Sequence, residues 1–159
     1  ILYVFIVSRL NDYNKHLKLI WLKYWEHNRA NFLESRMEQK MKLLKIALVL
    51  IGITFIAGVP LLMNFFWVSG WSWTPSQHEY EQMIMGVYAT LGLFLILAAK
   101  DPMQHASLIW FTVWSSVVHG GIMLVQALVD ETEHAHLMGD VPALFIVALV
   151  LAYLMPKKA

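Results

Sequence analysis

The stretch WSSVVHGGIMLVQALVDETEHAH, Trp114 to His136, decides the fold. Up to Val129 it carries no charged residue, and it ends in a cluster of acids and histidines. One ionisable ring, His119, sits among Val117, Val118, Ile122 and Leu124. A helix turns about 100° per residue. Thr112, Ser116, His119, Met123, Gln126 and Asp130 follow one another in steps of four and three, so they share one narrow face. Lipid disfavours such a polar stripe, so the stripe is expected to face neighbouring helices. Gly120 and Gly121 flank it and leave room for a close approach.

The rest of the chain has the same character. Of 159 residues, 58 % are hydrophobic and 14 % charged. A soluble domain has about 45–50 % apolar and about 25 % charged residues. Four apolar segments predict helices at about 46–68, 80–99, 106–129 and 138–155. Crossing a hydrocarbon core takes roughly 17–25 helical residues. The first three segments meet that length, and the fourth is short. Turn chemistry separates them: Gly70 and Pro75, then Asp101-Pro102, then Gly139-Asp140 and Pro142. Short connections make neighbours antiparallel, so the expected class is all-α, a transmembrane up-down four-helix bundle over residues 46–159. Asp140 is expected to cap the fourth helix.

Charge sets the orientation. Residues 1–45 hold nine of the twelve Lys and Arg, and Lys100, Lys157 and Lys158 are the others. The two remaining connections contain none. Both termini are therefore expected on the cytoplasmic side of a bacterial inner membrane, with Trp67, Trp71 and Trp73 at the outer interface. Residues 1–45 form a basic segment in which Leu10, Tyr13, Leu17, Ile20 and Tyr24 recur at helical spacing. It reads as a helix lying in the membrane interface. Residues 1–36 read equally as upstream sequence, because Met37 opens MEQKMKLLKIALVL. Lipid headgroups explain these cations better than nucleic acid does. The chain has no cysteine, which excludes disulfides, thiolate catalysis and cysteine-held metals.

Two regions are candidates for chemistry. Counting about 1.5 Å per residue from the Lys100–His105 turn puts Tyr88 and His119 at one depth. A Tyr88–His119 hydrogen bond is expected there, with Ser116, Gln126, Met85 and Met123 nearby and Gly58 of the first helix at the same level. Such a pair lines a ligand site, or joins two helices and does nothing more. At the outer end, His134 and His136 with His78, Glu81 or Asp130 have donor types that zinc or copper accepts. The competing reading is a hydrated acidic rim. Only His119 lies deep, so bis-histidine haem within one chain is excluded; His119 with Met85, a dimer sharing His119, or a single donor to a chlorin or quinone, remains. No phosphate loop or Ser–His–Asp spacing occurs, and a non-enzymatic protein is expected.

The stretches EYEQMIMGVYATLGLFLILAAKDP, SLIWFTVWSSVVHGGIMLVQAL and HLMGDVPALFIVALVLAYL are similar in layout to small bacterial four-helix membrane proteins of the DoxX-like kind. The resemblance implies a fold and a membrane location but no activity. It directs attention to His119, His136, Gly139, Asp140 and Pro142. Three functions remain open. The first is an accessory membrane protein that binds a hydrophobic ligand, lipid or partner subunit near His119, with no cofactor. The second is a membrane redox or metal protein. The third is a small transporter or proton pathway along Asp130, Gln126 and His119. The glycines serve contacts within one bundle or between two, so a homo-oligomer is among the expected partners.

Overall fold

The computed structural model describes residues 2–61 and 78–156, without the side chains of residues 2–14, 16, 78 and 81. Helix α1 runs Leu2–Ile53, α2 His78–Ala98, α3 Ala106–Val129 and α4 Asp140–Leu154. A π turn, Thr54–Gly58, follows α1 and passes into a short helical piece, Val59–Leu61. A 310 turn, Glu131–Leu137, joins α3 to α4. Among the described residues there is no strand. The expected end of the first helix near 68, its three interface tryptophans, and Gly70 and Pro75 lie outside the described residues.

The chain divides into two compact units, Ile1–Gln39 and Lys40–Ala159. The first is helical, and its described side chains are exposed, Trp21, Tyr24, Trp25 and Phe32 among them. Trp21 and Tyr24 meet edge to face at 6.1 Å, and Arg36 lies 5.8 Å from the Phe32 ring centre. Lys18, Arg29 and Arg36 fall on one edge of the aromatic face by the 100° rule.

In the second unit the core is built from Leu44, Leu48, Leu95, Ile109 and Leu151, all fully buried. Residues 40–45, expected in the basic segment, already pack here through Leu44. α1 and α2 cross in opposite senses at Gly52 and Gly92. A Cβ built on Gly92 would stand 2.5 Å from the Gly52 carbonyl oxygen, and one on Gly52 would stand 2.6 Å from the Gly92 oxygen. No other residue allows backbones this close.

Pro60 explains the π turn. Proline lacks an N–H, and its ring collides with the carbonyl four residues back. The ladder widens beforehand, with the Val59 N–H donating to the Thr54 carbonyl. The Thr54 hydroxyl donates to the Leu50 carbonyl at 2.9 Å. Gly58 makes room for Thr54, whose Cγ2 would lie 3.0 Å from an added Cβ.

Three helical stretches are long and apolar enough to cross a membrane: Leu17–Leu61, Ala106–Val129 and Glu131–Leu154. Gln82–Ala98 of α2 is apolar but shorter. Sequence reading put the shortfall in the fourth helix instead. Glu79 and Glu81 shorten the apolar run of α2, and the 310 turn lengthens that of α4. This turn packs back along α3. Leu144 faces Gly120 at 3.3 Å from a built Cβ, so α4 starts opposite residue 124 or so. That is about 8 Å short of the top of α3.

Candidate functional site

A cleft of about 270 Å³ opens between α2 and α3. Its apolar walls include Ile84, Val87, Leu91 and Phe111. Tyr88, Ser115, Ser116 and His119 supply its polar atoms. Tyr88 Oη lies 2.8 Å from His119 Nδ1, a hydrogen bond between the two residues that depth counting placed level. The Phe55 ring meets Tyr88 edge to face at 4.9 Å and fixes its orientation.

The donor inventory of this pair is small. A neutral imidazole has one N–H, and a phenol has one O–H. Their mutual bond uses one of the two protons. If Tyr88 donates, the His119 Nε2–H is left; if His119 donates, the Tyr88 hydroxyl proton is left. Either way one donor remains at the head of an apolar cleft. The groups that satisfy it are acceptors such as a carbonyl or ether oxygen.

Below the pair, two hydroxyls of α3 turn to their own backbone. Thr112 donates to the Leu108 carbonyl at 2.9 Å, and Ser115 to the Thr112 carbonyl at 3.2 Å. Thr112 and Ser116 are buried and His119 and Met123 half-buried, but Gln126 and Asp130 are exposed. The stripe therefore does not face inward over its whole length. Above residue 124 or so, α3 has no α4 beside it. Met85 and Met123 are half-buried and do not line the cleft, and Gly58 abuts Thr54 instead of the pair.

The outer cluster takes a form that spacing did not suggest. His136 is 4 % exposed, and both ring nitrogens meet carboxylates. Nε2 stands 2.7 Å from Glu133 Oε2, and Nδ1 stands 2.9 Å from Asp140 Oδ2. Each contact takes one proton between ring nitrogen and carboxylate, so neither nitrogen has a lone pair free for a metal. His134 is exposed. Among the described residues, no three His, Asp or Glu are placed so that they could hold a metal ion. The side chains of His78 and Glu81, also named as ligands, lie outside the described residues. The signal for the cluster is Glu133, His136 and Asp140 at spacings of three and four, one helical stack across a turn.

Asp140 is the first residue of α4 and not its cap, a place held by Gly139. Its Oδ1 accepts from the Val141 N–H at 3.0 Å while the carboxylate holds His136. Asp130 caps the 310 turn. The Thr132 hydroxyl and N–H donate to Asp130 Oδ1 at 2.7 and 2.9 Å and hold that carboxyl below its ordinary pKa. Asp140 also lies close enough to act electrostatically on both Tyr88 and His119.

No curated protein and no solved structure matches this chain. Residues 38–158, which hold the cleft, the Tyr88–His119 bond and the His136 cluster, match the family of unknown function DUF6632, and the chain belongs to that family.

Proposed function

We propose that this is an integral protein of the inner (cytoplasmic) membrane, an up-down bundle of four helices with both termini cytoplasmic, and that it binds a small lipophilic molecule in the α2–α3 cleft. The helical stretches long enough to cross, the opposed senses of α1 and α2, and the clustering of Lys and Arg support the topology. The amino-terminal segment binds lipid headgroups on the cytoplasmic side, in keeping with its exposed aromatics and the cationic edge of Lys18, Arg29 and Arg36.

One observation carries the binding reading: an apolar cleft headed by a hydrogen-bonded pair with a donor to spare. Apolar walls with few convergent polar groups are the usual make-up of a ligand site. A pair serving only to join helices has no need of the cleft beside it. The ligand is accordingly a lipophile with an accepting oxygen at one end.

Photo-crosslinking tests this. An alkyl ketone carrying a diazirine is added to the protein in bilayer nanodiscs, and labelled peptides are mapped. Labels within Met83–Leu91 and Phe111–His119 are expected, competed by unlabelled ketone and lost in His119→Phe, which fills the cleft. Labels spread evenly over exposed apolar positions such as Val125, Leu128 and Ile146 overturn the reading.

A further inference from the structure

Resting on that reading of the cleft, we propose that Asp140 selects the charge of the molecule admitted: a neutral lipophile enters and an anionic one is turned away. The Tyr88–His119 pair cannot make this distinction alone. Its free donor serves a ketone oxygen, and it serves a carboxylate or sulfonate oxygen better, because hydrogen bonds to ionised acceptors are the stronger ones. A bilayer is rich in anionic amphiphiles. A site offering only a donor would fill with them.

The charges around the pair supply the discrimination. Asp140 opens α4 about five residues above the level of His119, roughly 8 Å along the axis. Glu133 of the 310 turn and Asp140 clamp His136 between them with one proton in each contact, so the cluster of three carries net charge −1. No Lys or Arg offsets it. Lys100 is the only one between residues 46 and 156, and it lies about 18 Å below Tyr88. Lys45 of α1 lies at least eleven residues, about 16 Å, below the same level. The remaining titratable groups at this end whose side chains are described are the acids Glu79, Asp130 and Glu131, with the exposed Tyr80 and His134. Each acid adds negative potential.

With the lateral offset between neighbouring helices added to that rise, a unit charge about 10 Å away, at an effective dielectric of about 20, changes the affinity of an anion by about fifteenfold. His136 opposes Asp140, and Glu133 reinforces it from farther off. A net discrimination of about tenfold is therefore expected. Partial burial keeps this field from being screened as an exposed charge would be. Asp140 does not touch the ligand; it acts through its charge alone.

The test uses two competitors of equal chain length, an alkyl methyl ketone and an alkyl sulfonate whose charge is permanent. Each displaces the diazirine ketone from protein in zwitterionic nanodiscs. In the unaltered protein the sulfonate is expected to need about tenfold more than the ketone. In Asp140→Asn that ratio falls to between one and three. Glu133→Gln, at the more exposed end of the clamp, lowers the ratio by less and serves if Asp140→Asn does not fold. An alkyl trimethylammonium shows the opposite trend, weakening in both variants. Equal competition by ketone and sulfonate in the unaltered protein overturns the selection while leaving the cleft as a binding site. So does a ratio unmoved in both variants. Failure of the ketone itself to compete overturns the binding site and the selection with it.

Discussion

Replacing Gly92 by alanine should separate α1 from α2. The new Cβ would stand 2.5 Å from the Gly52 carbonyl oxygen, with Ile56 Cγ1 and Phe55 Cβ each at 3.0 Å. A carbon and a carbonyl oxygen approach no closer than about 3.3 Å without strain. The helices must therefore part by about 0.8 Å. A gap of that size forfeits a quarter to a half of each dispersion contact across it. Phe55, Ile56 and Ile96 hold the crossing, each with some two dozen heavy-atom contacts to the facing helix at about 0.15 kcal/mol apiece. Losing the lower fraction, and recovering part by relaxation, leaves a destabilisation of about 2–3 kcal/mol. Within a bilayer this packing has no hydrophobic effect to fall back on. The assay is unfolding from mild detergent by added dodecyl sulfate, followed by tryptophan fluorescence and circular dichroism. Gly86→Ala is the control, since nothing lies within 4 Å of a Cβ there. It should be neutral or stabilising by up to about 1 kcal/mol, because alanine favours helix over glycine. Equal stability of the two variants would refute the close crossing.

Tyr88→Phe removes the hydroxyl that meets His119, with an expected loss of about 0.6 kcal/mol and a shift of the His119 ring-nitrogen resonances; unchanged resonances would mean that the bond is not formed. His136→Ala leaves Glu133 and Asp140 facing each other without the ring that bridges them, and about 2 kcal/mol of destabilisation should concentrate in the 310 turn. Hydrogen exchange of the Glu131–Leu137 amides reads this, and uniform protection in both proteins would count against the clamp. For Asp130, a lowered folded pKa means that its contribution is present above the unfolded value and fades as pH falls through the folded one. Thr132→Ala should raise that pKa toward the ordinary carboxylate value, seen as a higher midpoint of the Asp130 side-chain carbonyl titration by NMR. Leu48→Ala, at a fully buried core position, should cost about 2–5 kcal/mol by the same dodecyl sulfate titration, whereas exposed Leu50→Ala should cost little.

The inner half of the second unit was legible in the sequence for a simple reason. α2 and α3 are joined by a tight turn at Asp101-Pro102, so residues equally far from that turn meet. Counting upward paired Tyr88 with His119 without any knowledge of their environment. The same count from Lys45 and from Lys100 puts Gly52 and Gly92 at nearly one height, which is how their crossing could have been found. α3 agrees with its expected limits, 106–129, because proline and aspartate stop signals bracket an uncharged run. The π turn was less visible, although Thr54, Gly58 and Pro60 carry it. Periodicity over a long apolar segment does not register one residue of local widening.

At the outer end the same counting fails, and the failure shows how the polar cluster comes to lie inside. A loop centred near residue 135 would pair His119 with a residue near 151 if it arched over the helix ends. Instead Gly120 meets Leu144, so α3 projects about a turn and a half above the start of α4. The connection must come down alongside α3, and a 310 turn is compact enough to do so. Its acids and histidine are then carried below the end of α3. A single buried imidazole ring there needs partners for both nitrogens, and Glu133 and Asp140 are the residues that the turn brings to it. Sequence reading leaves this segment as a metal site or a hydrated rim because its composition is that of a loop. Composition does not record the depth to which a short turn lowers its side chains; the offset between two helices sets that depth, and it is a property of packing at Gly120.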